Sequence, residues 1–239
     1  TVQRKSGLLT PIIGSSTELG GQLTLPLYVV LDDTSDFTFS PRITTKEGVV
    51  FGGEHRQRYD SGTWDTTGSI TYVDEVDINN SKTGAEEFRG HLRSAGRFDA
   101  GRGFEAGFDF DRASDDTYLK RYDISSADVL TSDVYLRGIR DRHAASVEFF
   151  AFQSLRENDK DGDTPFVLPP ASYTASGEPS IGGRLDGTAS MVALQRTGGR
   201  DTRRVSLQGD WAADHIGSFG DLMTFGLHLR GDGYSVSEA

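Results

Sequence analysis

Apolar and polar residues alternate with a period of two along almost the whole chain, and no convincing stretch follows the 3.6-residue period of a helix. In GQLTLPLYVVL one face carries Leu23, Leu25, Leu27, Val29 and Leu31. In SDFTFSPRI the apolar face is Phe37, Phe39 and Ile43, set against Thr38, Ser40 and Arg42. FEAGFDFDR places Phe104, Ala106, Phe108 and Phe110 against Glu105, Asp109 and Asp111. MTFGLHLRGD closes the pattern with Met223, Phe225, Leu227 and Leu229 against Thr224, His228 and Arg230. Counted this way, the chain predicts about thirteen strands, many of roughly 9–12 residues, the length a tilted strand needs to cross a bilayer.

The links between these runs carry a second pattern. VDEVDINNSKTGAEE, RASDDTYLKRYDISSADV and RENDKDGDTPFVLP are long and polar. DDTSD, RYDSGT, RFDAGRG, RDRH and GEPSIGG fall between them and are short and turn-like. Long connections at one end and short turns at the other characterise an outer-membrane barrel, whereas a soluble sandwich has no such bias. Aromatics near strand ends (Tyr28, Tyr59, Trp64, Tyr72, Tyr135, Trp211, Tyr234) fit interfacial girdles. Ordinary strand propensity explains each of them equally well.

Composition changes this picture in three ways. The mean hydropathy of -0.45 would suggest a soluble chain, but barrel strands alternate lipid-facing and lumen-facing residues and average out polar. A net charge of -11 lacks the basic footprint of a nucleic-acid binder. The absence of cysteine removes disulfide and thiolate chemistry from this stretch. The chain begins Thr-Val-Gln with strand pattern running by Gly7, and we read it as a piece of a longer protein. Residues 1–6 then form the end of a preceding connection.

Candidate chemistry is thin. His55, His91, His143, His215 and His228 are scattered without metal-ligand spacing. DKDGD offers Asp159, Asp161 and Asp163 as a weak cation loop. Its glycine is fourth rather than sixth and its twelfth position is Pro170, so a solvated acidic loop is the first reading. GRGFEAG precedes a strand rather than a helix and is a turn, not a phosphate loop. RGD at Arg230–Asp232 lies within strand alternation. No nucleophile sits in a strand-turn-helix context, so no enzyme and no cofactor are expected.

The opening stretch GLLTPIIGSSTELGGQLTLPLYVVL is a hairpin with a proline in each strand, Pro11 and Pro26. Proline cannot donate to a ladder and is normally kept out of central strands. If the hairpin folds about Glu18 and Leu19, opposed residues sum to 37, which pairs Pro11 with Pro26. Both would then lie at one level, each on the face opposite the Leu23–Val29 row.

This hairpin, DFTFSPRITTKEGVVFGGEHR, SDDTYLKRYD (Ser114–Asp123) and LPPASYTAS (Leu168–Ser176), in that order, resemble the outer-membrane LPS-assembly proteins of the LptD family, also called organic solvent tolerance proteins. The resemblance spans roughly Gly7 to Tyr234. It implies an all-β, antiparallel up-and-down transmembrane barrel of about 26 strands, of which residues 7–239 would be about the first half. Residues 1–6 would lead from a periplasmic jellyroll domain outside this sequence. The cysteines that link domains in some members have no counterpart here.

The resemblance further implies residence in the Gram-negative outer membrane and contact with its lipid. It implies lipopolysaccharide as cargo, an LptE lipoprotein plug, and periplasmic bridge proteins acting through the jellyroll. Lipid would leave through a lateral gate at the first strand, which places Leu8, Leu9, Pro11, Ile12, Ile13 and Pro26 at that gate. A porin-like diffusion channel, a plugged transporter and a soluble β-sandwich binding module remain as alternatives.

Overall fold

The computed structural model describes residues 4–76, 82–156, 166–195 and 200–238. The cation-loop candidates Asp159, Asp161 and Asp163 lie outside them. Every strand pair given below is antiparallel, as the short turns between successive strands favour.

The first of two compact units gathers residues up to Phe98, Phe108–Ser132 and the stretch from Phe152. Its strands are β1 (Gly7–Leu8), β2 (Ile12–Ser16), β3 (Gly20–Thr24), β4 (Leu27–Val30), β5 (Ser35–Thr44), β6 (Gly48–Tyr59), β7 (Gly62–Val76) and most of β8 (Lys82–Gly101). The distal half of β9 (Phe104–Ala113) and a four-residue helix, α1 (Tyr118–Arg121), complete it. β1 pairs with β4 and β2 with β3. Both β3 and β4 pair with β5, and β5 through β8 follow in chain order.

The second unit contains much of β10 (Val129–Arg140) and β11 (His143–Ser154), with β12 (Phe166–Gly177), β13 (Arg184–Gln195), β14 (Arg200–Ile216) and β15 (Leu222–Glu238). Its ladder runs β11-β12-β13-β14-β15. β15 has a neighbour on one side only, as does the β1/β2 strand in the first unit.

Among the described residues there are fifteen strands. β1 and β2 are one run broken at Pro11, and β3 and β4 are one run broken at Pro26, so the number of spans is 15 − 2 = 13. The expected short turns form as read. β8 and β9 join through Arg102 and Gly103 at φ of 57° and 80°, and Asp141 has φ of 54° between β10 and β11. One long link shrinks: β7 reaches Val76 and β8 starts at Lys82, so most of VDEVDINNSKTGAEE is strand.

Which face is covered reverses the rule of a soluble protein. The apolar row of the first unit (Ile43, Phe51, Ile70, Phe88) is exposed, with Phe88 at 70%. In the second unit Leu207, Leu227 and Leu229 are likewise exposed. Asp36, Thr44, Glu47, Thr71 and Arg89, on the polar side, are buried. A soluble sandwich would bury its apolar faces against each other. Membrane-barrel strands carry them outward, toward lipid.

The buried apolar cluster of the first unit therefore sits on the polar side. It comprises Leu19, Val50, Tyr118, Leu119, Tyr122, Leu130 and Leu155. Val50 pairs with Arg42 and so points away from Ile43, Val49 and Phe51.

Candidate functional site

The first hairpin is where strand pairing departs most from a regular ladder. Gly7↔Tyr28 and Leu8↔Leu27 sum to 35, whereas Ile12↔Thr24 through Ser16↔Gly20 sum to 36. Leu9, Thr10 and Pro11 therefore face only Leu25 and Pro26, which is a one-residue bulge. The expected register of 37 is not found, and Pro11 is not opposed to Pro26. Nor do the two prolines share a face. Pro26 is buried, while Pro11 is exposed and lies two residues from Ile13, the partner of Leu23 on the apolar side.

The slip belongs to the first strand alone. Thr24↔Arg42 and Leu27↔Phe39 both sum to 66, so β3 and β4 keep one register against β5 across Pro26. Continuing that register sets Pro26 opposite Ser40 and Pro41 opposite Leu25. Leu25 N–H donates to the Pro41 carbonyl at 3.0 Å, and Leu9 N–H donates to the Pro26 carbonyl at 2.9 Å. In such a pair the return bond would come from the proline nitrogen, which has no hydrogen. Pro26 thus removes a donor aimed at the first strand, and Pro41 removes one aimed at the second. Three prolines on three successive strands lie close to one level, and Pro41 was not singled out from the sequence.

The gate residues expected from the sequence meet this irregular stretch. Leu8, Leu9, Ile12 and Ile13 are all exposed, Ile13 at 82%. Consecutive apolar residues exposed on both faces mark an edge strand with little packed against it.

Both ends of the hairpin are held. At the β1 end, Arg4 donates to the Tyr28 hydroxyl at 3.1 Å and to the Asp33 carbonyl at 3.0 Å, and it pairs with buried Asp36. Arg56 meets the same carboxylate at 2.8 Å. Val30 N–H donates to the Ser6 hydroxyl at 2.8 Å.

At the opposite end the β2–β3 turn lies against the β5–β6 turn. Lys46 Nζ donates to the Thr17 carbonyl at 2.6 Å, and Thr45 Oγ1 accepts from Gly21 N–H at 3.0 Å. Gly20, at φ of 69°, makes this fit possible, because a Cβ there would stand 2.2 Å from Thr45 Oγ1. Leu19 is fully buried.

Leu19 is covered by residues 114–128, the connection between β9 and β10. The sequence reads these as a long polar loop, but they form a packed buttress on the polar side. Asp115 anchors it. Its carboxylate accepts from Arg89 Nε at 2.9 Å and Nη2 at 2.6 Å, and from the backbone N–H groups of Thr117 and Tyr118 at 3.0 and 2.9 Å. Burial would raise the Asp115 pKa, but hydrogen bonds from Arg89, Ser114 and Thr117 outweigh it and hold the group at about 2. Arg89 is only 2% exposed.

α1 then turns Tyr118, Leu119 and Tyr122 onto the wall. The Tyr118 hydroxyl shares a 2.7 Å hydrogen bond with Ser69, which meets His91 Nδ1 at 2.8 Å. Arg42 donates to the Tyr122 carbonyl at 3.0 Å. Arg121 bonds Glu47 of the β5–β6 turn at 2.7 Å and approaches Glu18 of the hairpin turn at 3.9 Å. Burial raises both tyrosine pKa values, Tyr122 to about 12, so both hydroxyls stay neutral. The one sequence signal for this element was the apolar set Tyr118, Leu119, Tyr122 and Ile124 inside an otherwise polar link.

The second unit contributes a charged ladder on its polar face. Arg204 and Arg230 each meet Asp232 at 3.0 Å, and His228 meets Asp210 at 2.5 Å. Arg230 of the RGD triplet is thus tied to Asp232 of the same triplet, within β15. Among the described residues no group of three or more His, Asp or Glu side chains is placed to hold a metal. The arrangement suits a wall with a weak edge rather than a reaction centre.

Comparison with known proteins identifies that wall. The family model for LptD, LPS transport system D, matches residues 87–239. The chain belongs to the LptD family. The LPS-assembly protein LptD of Thiobacillus denitrificans is 31% identical over 200 residues, covering 80% of this chain and 26% of that protein. The LptD of Bordetella pertussis is 28% identical over 203 residues, covering 82% and 24% respectively. That of Azoarcus sp. is 29% identical over 187 residues, covering 75% and 22%. The chain spans about a quarter of the length of the curated relatives it matches. The family-model match begins within β8 and leaves the first hairpin outside it.

Proposed function

We propose that this chain forms part of an outer-membrane β-barrel that assembles lipopolysaccharide into the outer leaflet, and that its first hairpin is one side of a lateral gate. Membership of the LptD family supports the cargo and the membrane. The outward apolar faces support a wall that spans lipid. The observation that carries the gate is the proline-interrupted first strand, pinned at both ends and short of donors between them.

A sheet edge within hydrocarbon must be paired, because each unsatisfied backbone group there costs several kcal/mol. A regular strand would therefore seal the wall. Here the bulge of Leu9–Pro11 and the donor missing at Pro26 reduce the number of bonds that must break to part the first strand from its neighbour, and the donor missing at Pro41 loosens the second strand in the same way. Arg4 and the Leu19 turn keep the strand attached while its middle yields. Acyl chains would leave sideways through that middle, and the sugars would pass along the polar face with its ladder of arginines and aspartates. An LptE plug and periplasmic bridge proteins joined through a jellyroll would complete the machine. The exposed apolar faces also disfavour a soluble binding module, and the weakened first strand disfavours a self-closing diffusion channel.

The test is to replace Pro11 and Pro26 with alanine in the complete natural protein and follow newly made lipopolysaccharide at the cell surface. Surface delivery should slow while the barrel still folds. Unchanged delivery from a double variant present at normal level would remove the gate reading.

A further inference from the structure

The first hairpin is loosely packed along its length and tightly packed at one point. Leu8, Leu9, Ile12 and Ile13 are exposed, whereas Leu19, in the turn between β2 and β3, has no exposed surface. Leu19 shares a cluster with Tyr118, Leu119 and Tyr122 of the buttress and with Val50 of the wall. This turn and the buttress lie at the same end of the sheet, the end of the long connections, which is the outer end on the membrane reading.

Three sets of bonds fix the turn there. Lys46 N–H donates to the Leu19 carbonyl at 3.3 Å, and Thr45 N–H donates to the Gly21 carbonyl at 3.0 Å. Both tie the hairpin turn to the β5–β6 turn. Arg121 of the buttress spans the same two turns, meeting Glu47 at 2.7 Å and Glu18 at 3.9 Å, with its side chain only 11% exposed. Asp115 and Arg89 then fasten the buttress to β8, a strand outside the hairpin. The hold on the hairpin turn is therefore relayed from residues far from it in sequence.

That hold matters for a lipid with a large polar headgroup. Its acyl chains need only the middle of the first strand to yield, and the middle yields with this turn still seated. The headgroup rides at the outer end, so the whole molecule clears the wall only when that end moves as well. Moving the turn alone would pull Leu19 out of its cluster and draw Glu18 away from Arg121. Lifting the buttress first removes both obstacles.

We infer that residues 114–128 are a latch on the first hairpin. Seated, they hold the turn against its neighbour and keep the outer end shut; lifted, they free it. The inference rests on the gate proposed above and supplies its control.

Two elements that hold each other must loosen each other. In the complete natural protein in nanodiscs, Leu19→Ala leaves the Asp115–Arg89 pair in place, yet it should speed trypsin cleavage at Lys120 and Arg121 about ten-fold. Asp115→Ala should speed amide exchange across β2–β3 by a similar factor and leave β13–β14 unchanged. In cells, a photoreactive residue at Leu9 captures lipopolysaccharide within the gate. Glu18→Cys with Arg121→Cys is then bridged by a bifunctional thiosulfonate that a thiol reductant removes, with the wild type given the same reagents as reference. Bridging should lower surface delivery at least ten-fold while capture at Leu9 persists, and reduction should restore delivery. Undiminished delivery from the bridged protein, or Leu19→Ala cleaved as slowly as the wild type, would overturn the latch. Failure of Leu9 to capture lipopolysaccharide in the wild type would overturn the gate itself, and the latch with it.

Discussion

Removing the Asp115 carboxylate should release the buttress from the wall. Arg89 is 2% exposed and its partner 30% exposed, and two of its three nitrogens are engaged by that one carboxylate. Asp115→Ala leaves a buried guanidinium with the Thr117 hydroxyl at 2.6 Å and the more distant Glu87 carboxylate at 3.8 Å, and that hydroxyl itself loses its bond to Asp115. Orphaning one partner of a buried pair costs about 3–5 kcal/mol, and the partial exposure of Asp115 argues for the lower end. A loss of about 3 kcal/mol raises the population of the opened segment about 100-fold. Lys120 and Arg121 lie within it, so limited trypsin digestion of the membrane-embedded protein reads that population directly, provided closing is faster than cleavage.

Acid acts on the same clamp. The carboxylate is held at about 2 against an ordinary 3.8, so its contribution is complete above about pH 4 and is lost as pH falls through about 2. Asp115→Ala should accordingly cleave rapidly at neutral pH, and an acid-stable protease should find the wild type protected at pH 4 and opened near pH 2. Cleavage of Asp115→Ala within a few-fold of wild type at neutral pH would refute the view that this pair holds the segment down.

Three further outcomes follow from the hairpin. Gly20→Ala should destabilise the turn by about 2 kcal/mol through left-handed strain and displacement of Thr45, seen as a lower temperature for loss of the folded gel band. Pro41→Ala restores a donor aimed at the Leu25 carbonyl, so amide exchange at position 41 and Leu25 should reveal a protected pair; rapid exchange at both would show that the ladder is open there for another reason. Arg4→Gln removes the tether to Tyr28, Asp33 and Asp36 and should speed exchange at Val30, whose N–H is bonded to Ser6.

The alternation of Leu23–Leu31, Phe37–Ile43 and Met223–Leu229 was sufficient by itself to establish strands, their number and their short turns, because a side-chain period of two admits no other regular element. The ordered motifs from the first hairpin to Leu168–Ser176 pointed to the family. Alternation defines two faces without saying which is covered, and only the tertiary structure shows Phe88 and Leu229 exposed while Arg89 and Thr71 are buried. Register was equally out of reach. It depends on side chains of two strands meeting across a bulge, and one residue decides whether Pro11 and Pro26 share a face. The buttress was hidden for a related reason: four apolar residues among aspartates and lysines read as a loop until Arg89, Ser69 and Glu47, brought in from three other strands and turns, give its polar groups partners. The sequence determined what could be a strand, and long-range pairing decided where the prolines interrupt the ladder and what holds the ends of the first hairpin.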